Sequence, residues 1–226
     1  MTATTPTLVA QALSAPQLGH ALGQVLVVAE FAAIVAFMLS GLIEAARREL
    51  DAVGVCVVAG LTAFGGGTLR DVLLDRRPFF WVEHGAWLWL LFALCLGGML
   101  VLRVRHFALT ERAMQWPDAL GLGLFTASGT QIALAQQMPA LVAVLMGVIT
   151  ATFGGVLRDI VCNEIPSLFR DHRPYALCAF AGGWVAVAAT RLDASHWLVL
   201  AAAAGLTAGL RLLVLATGYR LPGWVR

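Results

Sequence analysis

Between Leu22 and Ala216 the chain is a series of apolar runs separated by short polar breaks. A helix needs about 20 mostly apolar residues to cross a hydrocarbon core about 30 Å thick. Seven stretches meet or approach that length: Leu22 to Ala46, Ala52 to Leu74, Glu83 to Leu102, Asp118 to Gln136, Ala140 to Val161, Tyr175 to Thr190 and Ser195 to Ala216. The sixth is short for a span. The breaks carry turn formers, as at Asp75 to Pro78, Met138 with Pro139, and Arg173 with Pro174, and leave no room for a soluble domain or lid. The expected fold is an all-α membrane protein of seven transmembrane helices. Residues 1–22 are expected as an N-terminal tail, 23–216 as one transmembrane domain and 217–226 as a cytoplasmic tail.

Composition strengthens this picture. Of the 226 residues 60% are hydrophobic and 12% charged, and the mean hydropathy is +0.83, more apolar side chain than a water-soluble surface can cover. The net charge is +2 and every basic residue is arginine, with no polybasic arm, so nucleic acid is not an expected partner. Residues 1–23 have no Lys or Arg ahead of the apolar stretch, unlike a cleaved signal peptide. With the N-terminus outside, the inner loops and tail collect Arg47, Arg48, Arg103, Arg105, Arg112, Arg170, Arg173, Arg220 and Arg226. The outer loops hold Arg76, Arg77 and Arg191. The positive-inside rule therefore puts the C-terminus in the cytoplasm.

Few residues outside the spans' polar pattern point to chemistry. Cys56, Cys95, Cys162 and Cys178 sit singly in apolar runs without CxxC spacing and read as packing residues. The histidines His20, His84, His106, His172 and His196 lie near span ends or in loops, as surface residues without metal-ligand spacing. Trp81, Trp87, Trp116, Trp197 and Trp224 suit the headgroup layer. Arg211, near the inner end of the seventh span, can snorkel to the interface. No Ser-His, paired-His or HExxH arrangement lies in the spans, so no enzyme and no cofactor is expected.

The chain repeats itself at a spacing of 88 without a gap. Phe37 falls on Phe125, Ser40-Gly41 on Ser128-Gly129, Thr62-Ala63 on Thr150-Ala151, Gly66-Gly67 on Gly154-Gly155, Leu69-Arg70-Asp71 on Leu157-Arg158-Asp159, Pro78 on Pro166, and Glu30 on Asp118. Repeat one covers about 23–105 and repeat two about 111–191, with the seventh helix, about 195–216, outside both. Three spans is an odd number, so the second copy enters from the opposite side. Inverted repeats of this kind recur in transporters whose sites lie where the halves meet.

The sharpest repeated segments are Gly65-Gly66-Gly67-Thr68-Leu69-Arg70-Asp71 and Gly154-Gly155-Val156-Leu157-Arg158-Asp159. Glycine runs in a span serve one of two ends. They break the helix, freeing carbonyls that face a water-filled cavity and can replace a cation's hydration shell. Or they let two helices cross closely. Ionisable residues inside a span mark a functional path, and the adjoining Arg-Asp pairs supply them. Ser40, Ser128, Thr62 and Thr150, at matched mid-span positions, either line that path or hydrogen-bond between helices.

Depth decides how the charges pair. Arg70 lies roughly 10 Å outward of the middle of its helix and Arg158 as far inward, so the two are about 20 Å apart and cross-repeat pairing of Arg70 with Asp159 is disfavoured. Glu30 matches the depth of Arg70, and Asp118, expected to begin the fourth span, matches Arg158. The expected pairs are Glu30 with Arg70 and Asp118 with Arg158, leaving Asp71 and Asp159 free to attract cations. The competing role for the two acidic partners is helix capping in interfacial water.

These residues resemble the bacterial branch of the TRIC family, the trimeric intracellular cation channels. The match runs from about Gly23 to Ala216 and rests on the doubled Gly-Gly-x-x-Arg-Asp at its fixed spacing. The resemblance implies a homotrimer of seven-helix protomers in the bacterial inner membrane, each with its own pore kinked at Gly65 to Gly67 and at Gly154 and Gly155. It implies conduction of monovalent cations, potassium or sodium, and contact with membrane lipid. Some bacterial relatives are described as glycine transporters, so a carrier of a small zwitterionic amino acid stands as the second function.

Overall fold

The structure, a computed structural model, describes residues 15–105, 110–170 and 173–222. It is all-α, with no strand among the described residues. Seven long helices are α1 (Ala15–Arg47), α2 (Ala52–Leu73), α4 (Ala86–Arg105), α5 (Glu111–Ala135), α6 (Ala140–Val161), α8 (Tyr175–Arg191) and α9 (His196–Thr217). Two single-turn helices, α3 (Phe80–Glu83) and α7 (Ser167–Arg170), follow α2 and α6. By length and hydropathy, four helices can cross a membrane: Ala21–Arg47 within α1, α2, α6 and α9. The chain is a multi-pass membrane protein.

Local chemistry sets the helix ends. Asp51 caps α2 by accepting from the Gly54 amide at 2.7 Å, and Thr110 and Ser195 do the same for α5 and α9. Gly218 closes α9 at φ +67°, in the left-handed region that glycine enters without steric cost. Five other turns reverse through non-glycine residues with positive φ: Glu49 and Gln137, and Asp75 and Asn163, form pairs 88 residues apart, and Asp193 precedes α9. α2 and α6 also have the same length and start 88 residues apart. The order long, long, single turn, long thus occurs twice, and α9 stands outside it.

Two expected boundaries move. α1 begins at Ala15 rather than Leu22, so its first two turns occupy part of the expected tail. α5 begins at Glu111 rather than Asp118, because Thr110 supplies the cap and Pro117 is carried inside the helix. Proline costs one backbone hydrogen bond there and does not end the helix.

The core sits where α1, α2, α5 and α6 pack together, with Phe37 stacked on Phe125 at 5.5 Å between ring centroids. α8 and α9 close one side, and α4 lies against α2 and α1. α2 and α6 cross at their glycines. A Cβ at Gly66 would lie 2.0 Å from the Thr150 carbonyl oxygen, and one at Gly154 would lie 2.1 Å from that of Thr62. The contact is reciprocal: each helix presses its glycine against the other's threonine carbonyl. Both helices run unbroken through these positions, which corrects the expectation of a break. The glycines remove side chains so that two backbones can touch, leaving the intrahelical hydrogen bonds in place.

Candidate functional site

Two charge clusters flank the glycine crossing, one near the C-terminal end of α2 and one near that of α6. In the first, Arg70 is fully buried. Its Nη1 donates to Glu30 Oε1 at 2.5 Å, and its Nε and Nη2 donate to Asp71 Oδ1 at 2.9 and 2.7 Å. Asp71 is also fully buried; its Oδ1 accepts from Arg76 at 3.1 Å and its Oδ2 from the Phe80 amide at 2.9 Å. The Phe80 ring lies 5.3 Å from the Arg70 guanidinium carbon. Gly67 makes room for that ring, since a Cβ there would meet it at 2.5 Å.

The second cluster repeats the plan with different capping groups. Arg158 Nη1 donates to Asp118 Oδ1 and to Ser40 Oγ, both at 2.7 Å, and its Nε donates to Asp159 Oδ1 at 2.9 Å. The Ser167 amide reaches Asp159 Oδ2 at 2.8 Å, as the Phe80 amide reaches Asp71. The Tyr175 hydroxyl donates to Asp118 Oδ2 at 2.9 Å, and Gly155 lies beside that hydroxyl. Behind Tyr175, the Arg211 guanidinium carbon sits 4.6 Å from the ring centroid. Arg211 is buried, and its Nε and Nη1 have no hydrogen-bond partner among the described residues.

The pairs expected from depth, Glu30 with Arg70 and Asp118 with Arg158, are formed. The capping alternative fails, because Glu30 and Asp118 both lie inside their helices. Asp71 and Asp159 are not free: each is held by its neighbouring arginine and by a backbone amide of the following single-turn helix. An arginine next in sequence can fold back onto the carboxylate, and desolvation makes both groups take every partner available. Thr62 and Thr150 donate back to Val58 and Met146 one turn earlier, and so do not bridge helices through their hydroxyls. Ser40 joins the second cluster, whereas Ser128 is buried with no partner among the described residues. Gly65 packs against Leu157.

Three readings of the less prominent residues change. Arg211 is 4% exposed and folds over Tyr175 instead of snorkelling. Trp87 is 7% exposed and stacks on His84, whose Nδ1 is 3.0 Å from the Phe80 carbonyl, so this pair belongs to the core rather than the headgroup layer. Trp116 and Trp197 are exposed, as anchors require. His106, His172 and Trp224 lie outside the described residues. Phe80, Tyr175 and Ser167 complete the clusters without having been singled out in the sequence, and Arg76, read there only as an outer-loop charge, joins the first. Of the first three, Tyr175 alone left a trace there, as a hydroxyl at the start of an otherwise apolar span.

Outside the second cluster opens a polar cavity of about 230 Å³ lined by Glu44, Arg47, Arg48, Met114, Arg158, Asp159, Glu164, Ile165 and Ser167. Arg48 bridges Glu44 and Glu164 across it at 2.9 and 2.7 Å. Hydrogen bonds to those two carboxylates raise the Arg48 guanidinium above its usual range. The cavity brings solvent to the loop-side edge of the cluster, while Arg158 itself stays 2% exposed.

Comparison with known proteins places this arrangement. The family described as Glycine transporter matches residues 27–106 and 115–191. A UPF0126 membrane protein of Vibrio cholerae is 40% identical over 147 residues, 65% of this chain and 61% of that protein, so the match spans less than two thirds of that relative. The UPF0126 inner membrane protein YadS of Escherichia coli K12 is 37% identical over 153 residues, 66% of this chain and 71% of that protein. The TRIC trimeric intracellular cation channel orthologue from Rhodobacter sphaeroides superposes with a TM-score of 0.80 at 32% identity, covering 87% of this chain and all of that one. A structure described in work on conductance through TRIC cation channels superposes at 0.78 with 31% identity, over 88% and 97% of the two chains. Fold and clusters together define a multi-pass membrane protein on the TRIC scaffold. The chain belongs to the bacterial TRIC family, which its matches to the Glycine transporter family and to UPF0126 membrane proteins also express.

Proposed function

We propose that the chain is a potassium-permeable channel for monovalent cations, with a path in each protomer of a homotrimer in the bacterial inner membrane. Seven spans form two inverted three-helix repeats plus α9, with the N-terminus outside and the C-terminus in the cytoplasm. The reciprocal glycine contacts of α2 and α6 and the self-pairing of Phe37 with Phe125 support a two-fold relation between the repeats. The observation that carries the function is the pair of matching clusters at opposite ends of that crossing. Each sets one buried arginine, Arg70 or Arg158, against two carboxylates, Glu30 with Asp71 or Asp118 with Asp159; Arg76 balances the first cluster, and the second keeps one net negative charge that favours cations. Arg76 screens the first cluster from its partly exposed position.

The path runs past Gly65 to Gly67, Gly154 and Gly155, along Ser40, Ser128, Thr62 and Thr150. At the crossing the carbonyls of Thr62 and Thr150 face the opposing glycines, so parting α2 from α6 exposes oxygen ligands at the narrowest point.

A carrier for a small zwitterion such as glycine is the second reading. It finds no free guanidinium at Arg70, whose three donor nitrogens are all engaged by carboxylates. What favours it is Arg211, whose two unpartnered donors suit a carboxylate. Flux from proteoliposomes separates the two. A channel gives fast potassium flux that glycine does not inhibit and that falls several-fold in Glu30→Gln with Asp118→Asn. Saturable uptake of labelled glycine with little ion leak, abolished by Arg211→Gln, overturns the channel and establishes the carrier.

A further inference from the structure

Cys56 on α2 and Cys95 on α4 lie across one helix interface, and both thiols are free. Three observations bring them together. A Cβ at Gly60 would lie 3.3 Å from Leu91 Cδ2, which fixes the antiparallel register of the two helices. Four residues back on α2 and four forward on α4, one turn along that register, stand Cys56 and Cys95. Cys95 also belongs to the buried core cluster against which Cys56 packs.

The second repeat supplies the third observation. There the equivalent positions are Val144 on α6 and Gly183 on α8, and a Cβ at Gly183 would lie 2.9 Å from Val144 Cγ1 and 3.4 Å from its Cα. In repeat two the matching helices therefore approach closely at this place. A disulfide needs Cα atoms about 4.4–6.8 Å apart and Cβ atoms about 3.8 Å apart, the range that such an approach provides.

We propose that Cys56 and Cys95 are a paired-thiol site that closes to an intramolecular disulfide under two-electron oxidation by a quinone of the membrane. One S–S bond forms and two S–H bonds break. The two electrons and two protons pass to the quinone, which leaves as its hydroquinone. Cys95 is buried and Cys56 half-buried, so the quinone reaches the pair from the lipid side at Cys56. The disulfide pins α4 to the first half of α2, the helix that carries the glycine crossing.

Thiol counting on the intact protein in liposomes tests the site. After incubation with decylubiquinone, denaturation and labelling with a polymer-bearing maleimide, the wild type should fall from four reactive thiols to two without forming a dimer. A reductant should restore four. Cys95→Ser and Cys56→Ala should each keep three before and after oxidation, and Cys162→Ser with Cys178→Ser should fall from two to none. A peptide mass spectrum of the oxidised wild type should contain Cys56 joined to Cys95. Four thiols retained under decylubiquinone and under diamide, or a loss that persists in Cys95→Ser, overturns the site. Closure with diamide alone overturns the quinone as its oxidant.

Discussion

Arg158 and Arg76 each bond the aspartate that follows an arginine in one repeat, but their surroundings give those bonds different weight. Arg158 is 2% exposed and holds Asp118, Asp159 and Ser40. Removing its charge leaves two carboxylates facing each other with no guanidinium between them. Breaking a buried pair by deleting one partner costs about 3–5 kcal/mol. Arg76 touches Asp71 with 30% of its side chain exposed, and an exposed pair contributes about 1 kcal/mol or less. Arg158→Gln should therefore lower the thermal midpoint in detergent, read by size-exclusion survival, far more than Arg76→Gln. Equal shifts would mean that water already reaches Arg158. Tyr175→Phe should fall between the two, since it removes one hydrogen bond to a charged acceptor, worth about 1.5–3 kcal/mol.

At the scale of elements the decisive contact is the crossing of α2 and α6. Gly66→Ala and Gly154→Ala each push a methyl group into a backbone carbonyl, at 2.0 and 2.1 Å, and a backbone cannot give way as a side chain does. Each should cost about 1–3 kcal/mol and change potassium flux by parting the two helices. Gly65→Ala meets the Cδ1 of Leu157, a side-chain tip that can turn aside, and Gly209→Ala meets open space. Both should leave the thermal midpoint close to wild type, and Gly209→Ala the flux as well.

Much of this element pattern was legible in the sequence. Depth along the helices picked out the Glu30–Arg70 and Asp118–Arg158 pairs, because a buried charge has few partners at its own level. The glycines were legible as special but not as a contact, since break and crossing call for the same residues and only the position of the facing helix distinguishes them. Asp118 read as a helix start because the apolar run begins just after it, whereas the Thr110 cap that sets the true start lies further upstream in a polar stretch. Arg211 read as a residue that snorkels to the interface. It lies outside the repeat, and its burial over Tyr175 depends on how α9 packs against α8.

For the whole molecule, the repeat makes the two ends alike in plan and unlike in chemistry. Cluster one is closed by the Phe80 ring, cluster two by the Tyr175 hydroxyl with Arg211 behind it. The loops after α2 and α6 share the same positive-φ reversal at Asp75 and Asn163, yet the first carries Arg76 and Arg77 where the second carries Glu164 and Ile165. If the repeats are inverted, these matching loops lie on opposite sides of the membrane. Arg77 and Ile165 are both exposed and 88 residues apart, which makes them matched reporters. In a background with the four native cysteines replaced by alanine or serine, Arg77→Cys should react with a membrane-impermeant maleimide added to whole spheroplasts. Ile165→Cys should react only after the membrane is opened, because the arginine-rich loops retain the cytoplasmic side. Labelling of both from one side would refute the inversion, and with it the two-fold frame that relates Arg70 to Arg158.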